Sequence, residues 1–324
     1  MRDNAAVDSS TLPQRMHAVR VHQFGGLDAL VYEEVPRPVP GAGQVLVRVK
    51  AAGVGPWDAW VRAGQSALAQ PLPLILGSDF SGVIADVGPG VAEVYVGEAV
   101  YGVTNAQFTG AYAAYAVADA AMIAPKPGRL SDVEAASVPV VASTAWQMVF
   151  EYGQVDGTKR VLVQGAAGNV GAYAVQLAKR AGAEVFATAY TRDVDDVQTL
   201  GADYVIDVQT ARFETRVTDV DVVLDTVGGE TLERSFAVLK PGGVLVSSVA
   251  KPDQEKAARA GVRAVFFLVT VTSAGLSALA DLLDTGELTT HVGEVLPLAN
   301  ARLAHEMLAG KPHKRGKIVL TVEA

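Results

Sequence analysis

A chain of 324 residues exceeds what one ordinary hydrophobic core organises, so two domains are expected. Half of the residues are hydrophobic and 19% are charged, yet no window approaches the ~18 uninterrupted apolar residues of a membrane span, and no membrane partner is expected. A formal charge of −8 without a basic, aromatic-interleaved patch speaks against a nucleic-acid partner, and the absence of cysteine removes disulfides, thiolate catalysis and cysteine-ligated zinc.

Residues 1–15 carry Asp3 and Asp8 and lack an apolar centre. They are expected to form a flexible tail rather than a secretory signal, and a cytoplasmic location fits. From residue 16 to 120 the chain is a series of short β-like runs punctuated by glycine and proline: "HAVRVHQF", "QVLVRVKAAGV", "SGVIADVG", "EAVYGV" and "AYAAYAVA". That spacing predicts a barrel-like, mostly antiparallel unit. After "PKPGRL", Ser131 and Glu134 have the spacing of a capping box, and the helix "DVEAASVPVVASTAWQMVFEY" follows, interrupted at Pro139.

The texture changes at residue 160. "RVLVQG", "EVFATA", "DYVIDV", "DVVLDTVG" and "GVLVSSVA" are apolar runs, most of them separated by helical patterns. Alternation of this kind predicts βαβ units around a buried parallel sheet. The end of the chain, "RLAHEMLAGKPHKRGKIVLTV", reads as a helix, a turn and one strand that returns to the N-terminal unit.

The strand "VLVQG", the turn "AAGN" and the helix "VGAYAVQLAKRAG" supply the context a dinucleotide fingerprint requires. Gly165, Ala166, Gly168, Asn169, Val170 and Gly171 are the expected cofactor-binding residues there. The middle glycine admits the backbone to a pyrophosphate, the last lets the helix close on the strand, and the helix N-terminus faces the anion. The next strand ends "FATAYTRD" with no carboxylate at the position that bonds a ribose 2′-hydroxyl. Tyr190, Thr191 and Arg192 follow instead, and an arginine suits a 2′-phosphate, so NADPH (NADP) is the expected cofactor. Asp193 is the competing feature, because a shift of a few residues brings it to the ribose.

With these residues in view, the chain resembles the medium-chain dehydrogenase/reductase superfamily and, within it, the zinc-free quinone oxidoreductase group. The likeness runs from about residue 16 to 323 through "AAGVGPWDAWVRAG", "LILGSDFSGVIADVGPGV", "GAYAAYAV", "STAWQ", "GAAGNVG", "DTVGG", "LKPGGVLV" and "RGKIVL". It implies an α/β protein: a GroES-like catalytic domain, mostly antiparallel β (16–138 and 275–324), and a Rossmann doubly wound parallel sheet (139–274). It also implies a cleft between the two that holds NADPH and the substrate. Val227, Ser247 and Lys317 join the cofactor contacts by this resemblance. Trp60, Asp58 and Thr144 are its catalytic positions, and Gly55, Trp57 and Phe267 line its substrate pocket.

The zinc-dependent branch places a cysteine at Gly55 and a histidine at Ser78, so no metal is expected here. The five histidines are scattered, without H-E-x-x-H spacing. No tyrosine precedes a lysine by four residues, and neither a G-x-S-x-G elbow nor a G-x-x-x-x-G-K-[ST] loop occurs. Trp60 stands where the group often has tyrosine, and its N–H is no acid at neutral pH. The expected reaction is hydride transfer from NADPH to a quinone, with enone or enoyl reduction, or an NADPH-binding role in sensing or structure, as alternatives. The stretch "GVRAVFFLVTV" (261–271) follows the last Rossmann strand and lacks acidic residues, and a homodimer pairing it with its twin is expected.

Overall fold

The computed structural model describes residues 12–68 and 70–322. The expected tail lies outside the described residues as far as position 11. Beyond it the chain is tied down: Pro13 and Gln14 accept hydrogen bonds from Arg37, and Arg15 opens the first strand.

Contacts divide the chain into two compact units. The first holds the chain through Val140, with Val271–Gly286 and everything from Thr290 onward; the second holds Val141–Thr270 and Glu287–Thr289.

The first unit is mostly antiparallel sheet. Gln44–Val54 is its central strand and pairs antiparallel with Asp79–Val87, Tyr115–Asp119 and Lys317–Thr321. The C-terminal strand thus does return to the N-terminal unit. Because neighbours cover both faces, "QVLVRVKAAGV" is buried nearly throughout rather than at alternate residues. Ala99–Val103 and Ile123–Pro125 extend the sheet on one side, and Val292–Pro297 lies parallel to Lys317–Thr321 on the other. A three-stranded sheet of Leu30–Pro36, Arg15–Val21 and Leu74–Ile75 completes the unit. Its core gathers Val19, Val47, Leu76, Phe80, Ile84, Tyr112 and Leu320, all under 2% exposed. Each such aliphatic or aromatic side chain contributes roughly 1.5–3 kcal/mol by leaving water.

Ser131 caps the helix Asp132–Ala136, accepting from the Glu134 N–H at 3.2 Å while the Glu134 carboxylate accepts from the Ser131 N–H at 2.9 Å. The next helix begins at Pro139, whose missing N–H costs nothing in a first turn.

The second unit is a six-stranded parallel sheet in the order Tyr204–Asp207, Glu184–Ala189, Arg160–Gln164, Val220–Asp225, Leu239–Ser247, Arg263–Phe266. All six strands are parallel, and helices such as Asn169–Arg180 and Gly229–Ser235 connect them. The stretch expected to follow the last strand instead supplies it. Arg263–Phe266 pairs with Leu239–Ser247 and stands at the end of the sheet. Among the described residues no helix is long and apolar enough to cross a membrane.

Candidate active site

In the second unit, Arg160–Gln164 is the first strand in sequence, and its two neighbours lie on opposite sides. Its C-terminal end is therefore the topological switch point, where parallel α/β sheets bind ligands. The glycine turn sits there. Gly165 has φ of 72°, a conformation that glycine adopts without strain. A Cβ at Gly171 would run into the Gly165 carbonyl and come within 2.9 Å of Ala166 Cα, so this glycine lets the helix close on the turn. At Gly168 a Cβ would meet the Gly165 oxygen alone, at 3.3 Å, which leaves that side of the turn open. Gly168 is the N-cap of Asn169–Arg180 and brings no capping side chain. The first-turn N–H groups thus remain available to an anion.

A buried polar layer holds this turn from below. Thr188 Oγ1 accepts from the Gly165 N–H at 3.0 Å and donates to Gln164 Oε1 at 2.8 Å. Gln164 Nε2 donates in turn to Ser235 Oγ at 3.1 Å. Asp225, fully buried, accepts from the N–H groups of Val227 and Gly228 at 3.1 and 3.0 Å and from Ser247 Oγ at 2.8 Å. Motif reading missed Thr188, Gln164 and Asp225. The signal available for Asp225 was its place in "DTVGG", at the end of a strand.

At the end of the second strand, Tyr190 is half exposed and the Arg192 guanidinium reaches solvent, 6.0 Å from the Tyr190 ring. Arg192 Nε stands 3.5 Å from Asp193 Oδ2. Thr191 Oγ1 donates to Asp207 Oδ2 at 2.7 Å, and this bond with the Gln209 N–H holds the Asp207 carboxyl below its ordinary range. Ser247 is enclosed: besides bonding Asp225, its Oγ accepts from the N–H groups of Val249 and Ala250. It therefore anchors the loop, whereas Val227 stays half exposed at the surface. Thr144 is buried in the helix Pro139–Trp146, and Phe267 packs against Tyr152 with ring centres 4.5 Å apart.

The first unit brings together Gly55, Trp57, Asp58 and Lys317. Gly55 is the N-cap of the helix Pro56–Arg62. Asp58 Oδ2 accepts from the Gly55 N–H at 2.8 Å and from Tyr112 Oη at 2.9 Å, while buried Oδ1 has no partner. Burial pushes the Asp58 carboxyl up to about 7, against the lowering effects of these two donors and of Lys317. Asp58, expected at a catalytic position, is fully enclosed, and its bond to the Gly55 N–H fixes the start of the helix. Lys317 is 1% exposed, and its ammonium bonds Asp79 Oδ2 at 3.0 Å and lies 4.4 Å from the Trp57 ring centre. Its charge is therefore neutralised inside the first unit. Trp57 Nε1 donates to Ser78 Oγ at 3.1 Å, and Trp60, on the same helix, is 49% exposed.

Residues 200–320 match the family model described as zinc-binding dehydrogenase, and residues 41–128 match the alcohol dehydrogenase GroES-like domain. The spectinabilin polyketide synthase system protein NorB of Streptomyces orinoci is 35% identical over 94% of this chain, and the chain spans 14% of NorB's own length. A 2-haloacrylate reductase from a Burkholderia species is 32% identical, covering 95% of this chain and 99% of the reductase. The solved structure of the quinone oxidoreductase from Coxiella burnetii superposes with a TM-score of 0.89 at 32% identity, over 95% of this chain and all of that one. The zinc named in the family model does not fit these residues. Gly55 offers no donor, Ser78 Oγ is engaged by an indole, and no three His, Cys, Asp or Glu side chains among the described residues converge to hold a metal.

Proposed function

This chain belongs to the medium-chain dehydrogenase/reductase superfamily, and we propose that within it the protein is a metal-free, NADPH-dependent reductase of quinones. The observation that carries the reading is the glycine turn at the switch point, open at Gly168 and closed at Gly171, beneath an uncapped helix N-terminus. Gly165, Ala166, Gly168, Asn169, Val170 and Gly171 hold the pyrophosphate, and Arg192, with Tyr190 and Thr191 beside it, receives the 2′-phosphate. When bound, the dinucleotide supplies a hydride.

From Trp57 to Trp60 the first unit offers indole surface and no accessible acid. Trp60 and Trp57 present aromatic surface, Asp58 is enclosed, and neither indole N–H is acidic near neutral pH. That suits an acceptor whose reduced form is a stabilised phenolate that water can protonate. An enone leaves an enolate and gains more from a donor near its oxygen. Reduction of an α,β-unsaturated carbonyl is the second reading, favoured by the likeness to the 2-haloacrylate reductase.

The assay is oxidation of NADPH and NADH by a panel of quinones and enones. Turnover of quinones with NADPH is expected, and failure of every acceptor would overturn the reductase reading. Among the described residues the outermost strand Arg263–Phe266 pairs on one side only, and a homodimer through its other side fits it. Sedimentation at low micromolar concentration giving a monomer alone would refute that assembly.

A further inference from the structure

Arg48 is the one exposed residue of the central strand Gln44–Val54, whose other side chains are buried or half-buried. Antiparallel register sets it directly opposite Tyr115, so the two side chains share one face of the sheet. Neither has found a partner. Among the described residues the Arg48 guanidinium makes no ion pair or hydrogen bond, and the hydroxyl of Tyr115, a residue only 8% exposed, makes no hydrogen bond. Both line a cleft of about 340 Å³ whose residues all belong to the first unit. Met16, Leu298 and Val322, all buried, give it an apolar floor. At the rim the rings of His17 and Tyr32 stack with centres 5.1 Å apart and planes 12° from parallel, and both residues remain exposed. Among the described residues no carboxylate lines the cleft. Arg15, also at the rim, is neutralised by Glu34 at 3.0 Å, which leaves Arg48 as a guanidinium without a counter-ion in a chain of net charge −8. The cleft is remote from Gly55 and Trp57: Arg48 stands six residues before Val54, about 20 Å along the strand from the end that leads into Gly55.

We propose that this cleft is a second small-molecule site and that it takes an aromatic carboxylate. A guanidinium offers a carboxylate two parallel N–H donors, and the phenol beside it offers a third. One uncompensated positive charge matches a monoanion better than a doubly charged phosphate. The apolar floor and the His17–Tyr32 stack receive the ring, because burial and stacking suit a planar aromatic body. The volume lies at the small end of ligand pockets and suits a fused pair of rings with one acid group. An arginine on a convex surface is simply solvated. Here the same side chain stands over apolar residues and beside a nearly buried hydroxyl that lacks an acceptor, and a bound carboxylate satisfies both groups at once.

The test is titration calorimetry with 2-naphthoate, which needs no turnover. Binding to the wild-type chain is expected, weakened about tenfold by Arg48→Ala and several-fold by Tyr115→Phe, as for the loss of hydrogen bonds to a charged group. Neutral 2-naphthamide and ring-free acetate should each bind the wild-type chain at least about tenfold more weakly than naphthoate, and the amide should be indifferent to Arg48→Ala. Both variants keep the fold, since Arg48 is exposed and phenylalanine retains the Tyr115 ring. No binding of 2-naphthoate at up to about 1 mM, or binding that survives Arg48→Ala, would overturn the proposal. So would displacement of naphthoate by a naphthoquinone, which would put it in the acceptor site. Tighter binding of 2-naphthyl phosphate would make the cleft a phosphate site and overturn the assignment to a carboxylate. The last competitor is a synthetic peptide of residues 1–11, which carry Asp3 and Asp8 and precede Pro13 at the rim. Displacement of naphthoate by this peptide would give the cleft to the chain's own N-terminus and overturn the proposal; naphthoate that stays bound upholds it.

Discussion

Replacing Asp58 by asparagine should change the slope of stability against pH. The carboxyl is enclosed, its folded-state value is near 7, and the ordinary value is 3.8. Burial is the main cause, with Asp79 adding to it, while the Gly55 N–H, Tyr112 Oη and Lys317 work in the opposite direction. Protonation at the unpartnered Oδ1 removes the charge without disturbing either bond to Oδ2. Between the two values the folded state holds a proton that the unfolded state has released. Stability from this group is therefore present at low pH and falls as pH rises from about 4 to about 7. At about 1.4 kcal/mol per unit, the wild-type chain should lose about 2.5 kcal/mol between pH 5 and pH 8 from this one group.

Asp58→Asn keeps an acceptor for Gly55 and Tyr112 and cannot titrate. Its own cost, an amide N–H buried without a partner, is the same at every pH. Urea midpoints of both proteins, followed by indole fluorescence in half-unit steps, isolate the effect because every other group cancels in the difference. The gap should shift by about 2.5 kcal/mol in favour of the variant as pH rises, or roughly 4 °C in Tm for a chain of this length. Parallel profiles would refute the reasoning and mean that Lys317 and the two hydrogen bonds outweigh burial, leaving Asp58 ionised throughout.

His305 should tilt the profile the other way. Burial, then the charge of Arg62, pushes it down to about 3, so His305→Asn should remove about 2 kcal/mol of the stability lost between pH 7.5 and pH 5, read from the same midpoints. Gly168→Val should weaken NADPH binding with the fold intact, since its side chain enters only the open side of the turn; unchanged affinity in titration by cofactor fluorescence would sink the assignment. Arg192→Ala should weaken NADPH about tenfold and NADH hardly at all, a modest factor because the guanidinium is exposed; equal losses in parallel titrations would place the 2′-phosphate elsewhere.

Both architectures were legible where local pattern and burial agree. The runs at 44–54, 160–164, 184–189 and 220–225 became strands because each lies inside a sheet and is apolar on both faces. Leu30–Pro36 escaped notice because "LVYEEVP" lies at the edge of its sheet and buries only Val35. Val292–Pro297 is similarly half exposed, and it exists through its pairing with Lys317–Thr321. The stretch 261–271, expected to follow the last Rossmann strand because nothing local says how many strands the sheet has, supplies that strand. At the site, the glycine turn was legible because its chemistry is in the backbone and in neighbours along the chain. The bonding of Asp58, Ser247 and Lys317 was not legible, for the opposite reason. What decides their roles is a partner far away in sequence: Tyr112, Asp225 and Asp79.

Those distant partners share a physical logic. A glycine-containing turn or helix start has no side chain of its own to pack, so its geometry must be imposed by bonds from the layer beneath. Thr188 and Gln164 do this for Gly165, Asp225 does it for Val227 and Gly228, and Asp58 does it for Gly55. Each is buried, and a buried polar group is costly to leave unpaired, so each admits few alternative arrangements. The cost is uneven. Beneath Gly165, Thr188 and Gln164 join a hydroxyl to an amide and ask for no charge. The layer beneath Trp57 encloses the Asp79–Lys317 pair and a carboxyl with one bare oxygen. Buried ion pairs seldom increase net stability over an apolar filling of equal volume. What this one adds is placement, since the ammonium that neutralises Asp79 is also the group that presses on the indole. A neutral residue at 317 would free the ring and remove the charge that most opposes burial at Asp79, whose carboxyl would then take up a proton. The indole's placement and the buried charge therefore stand or fall together.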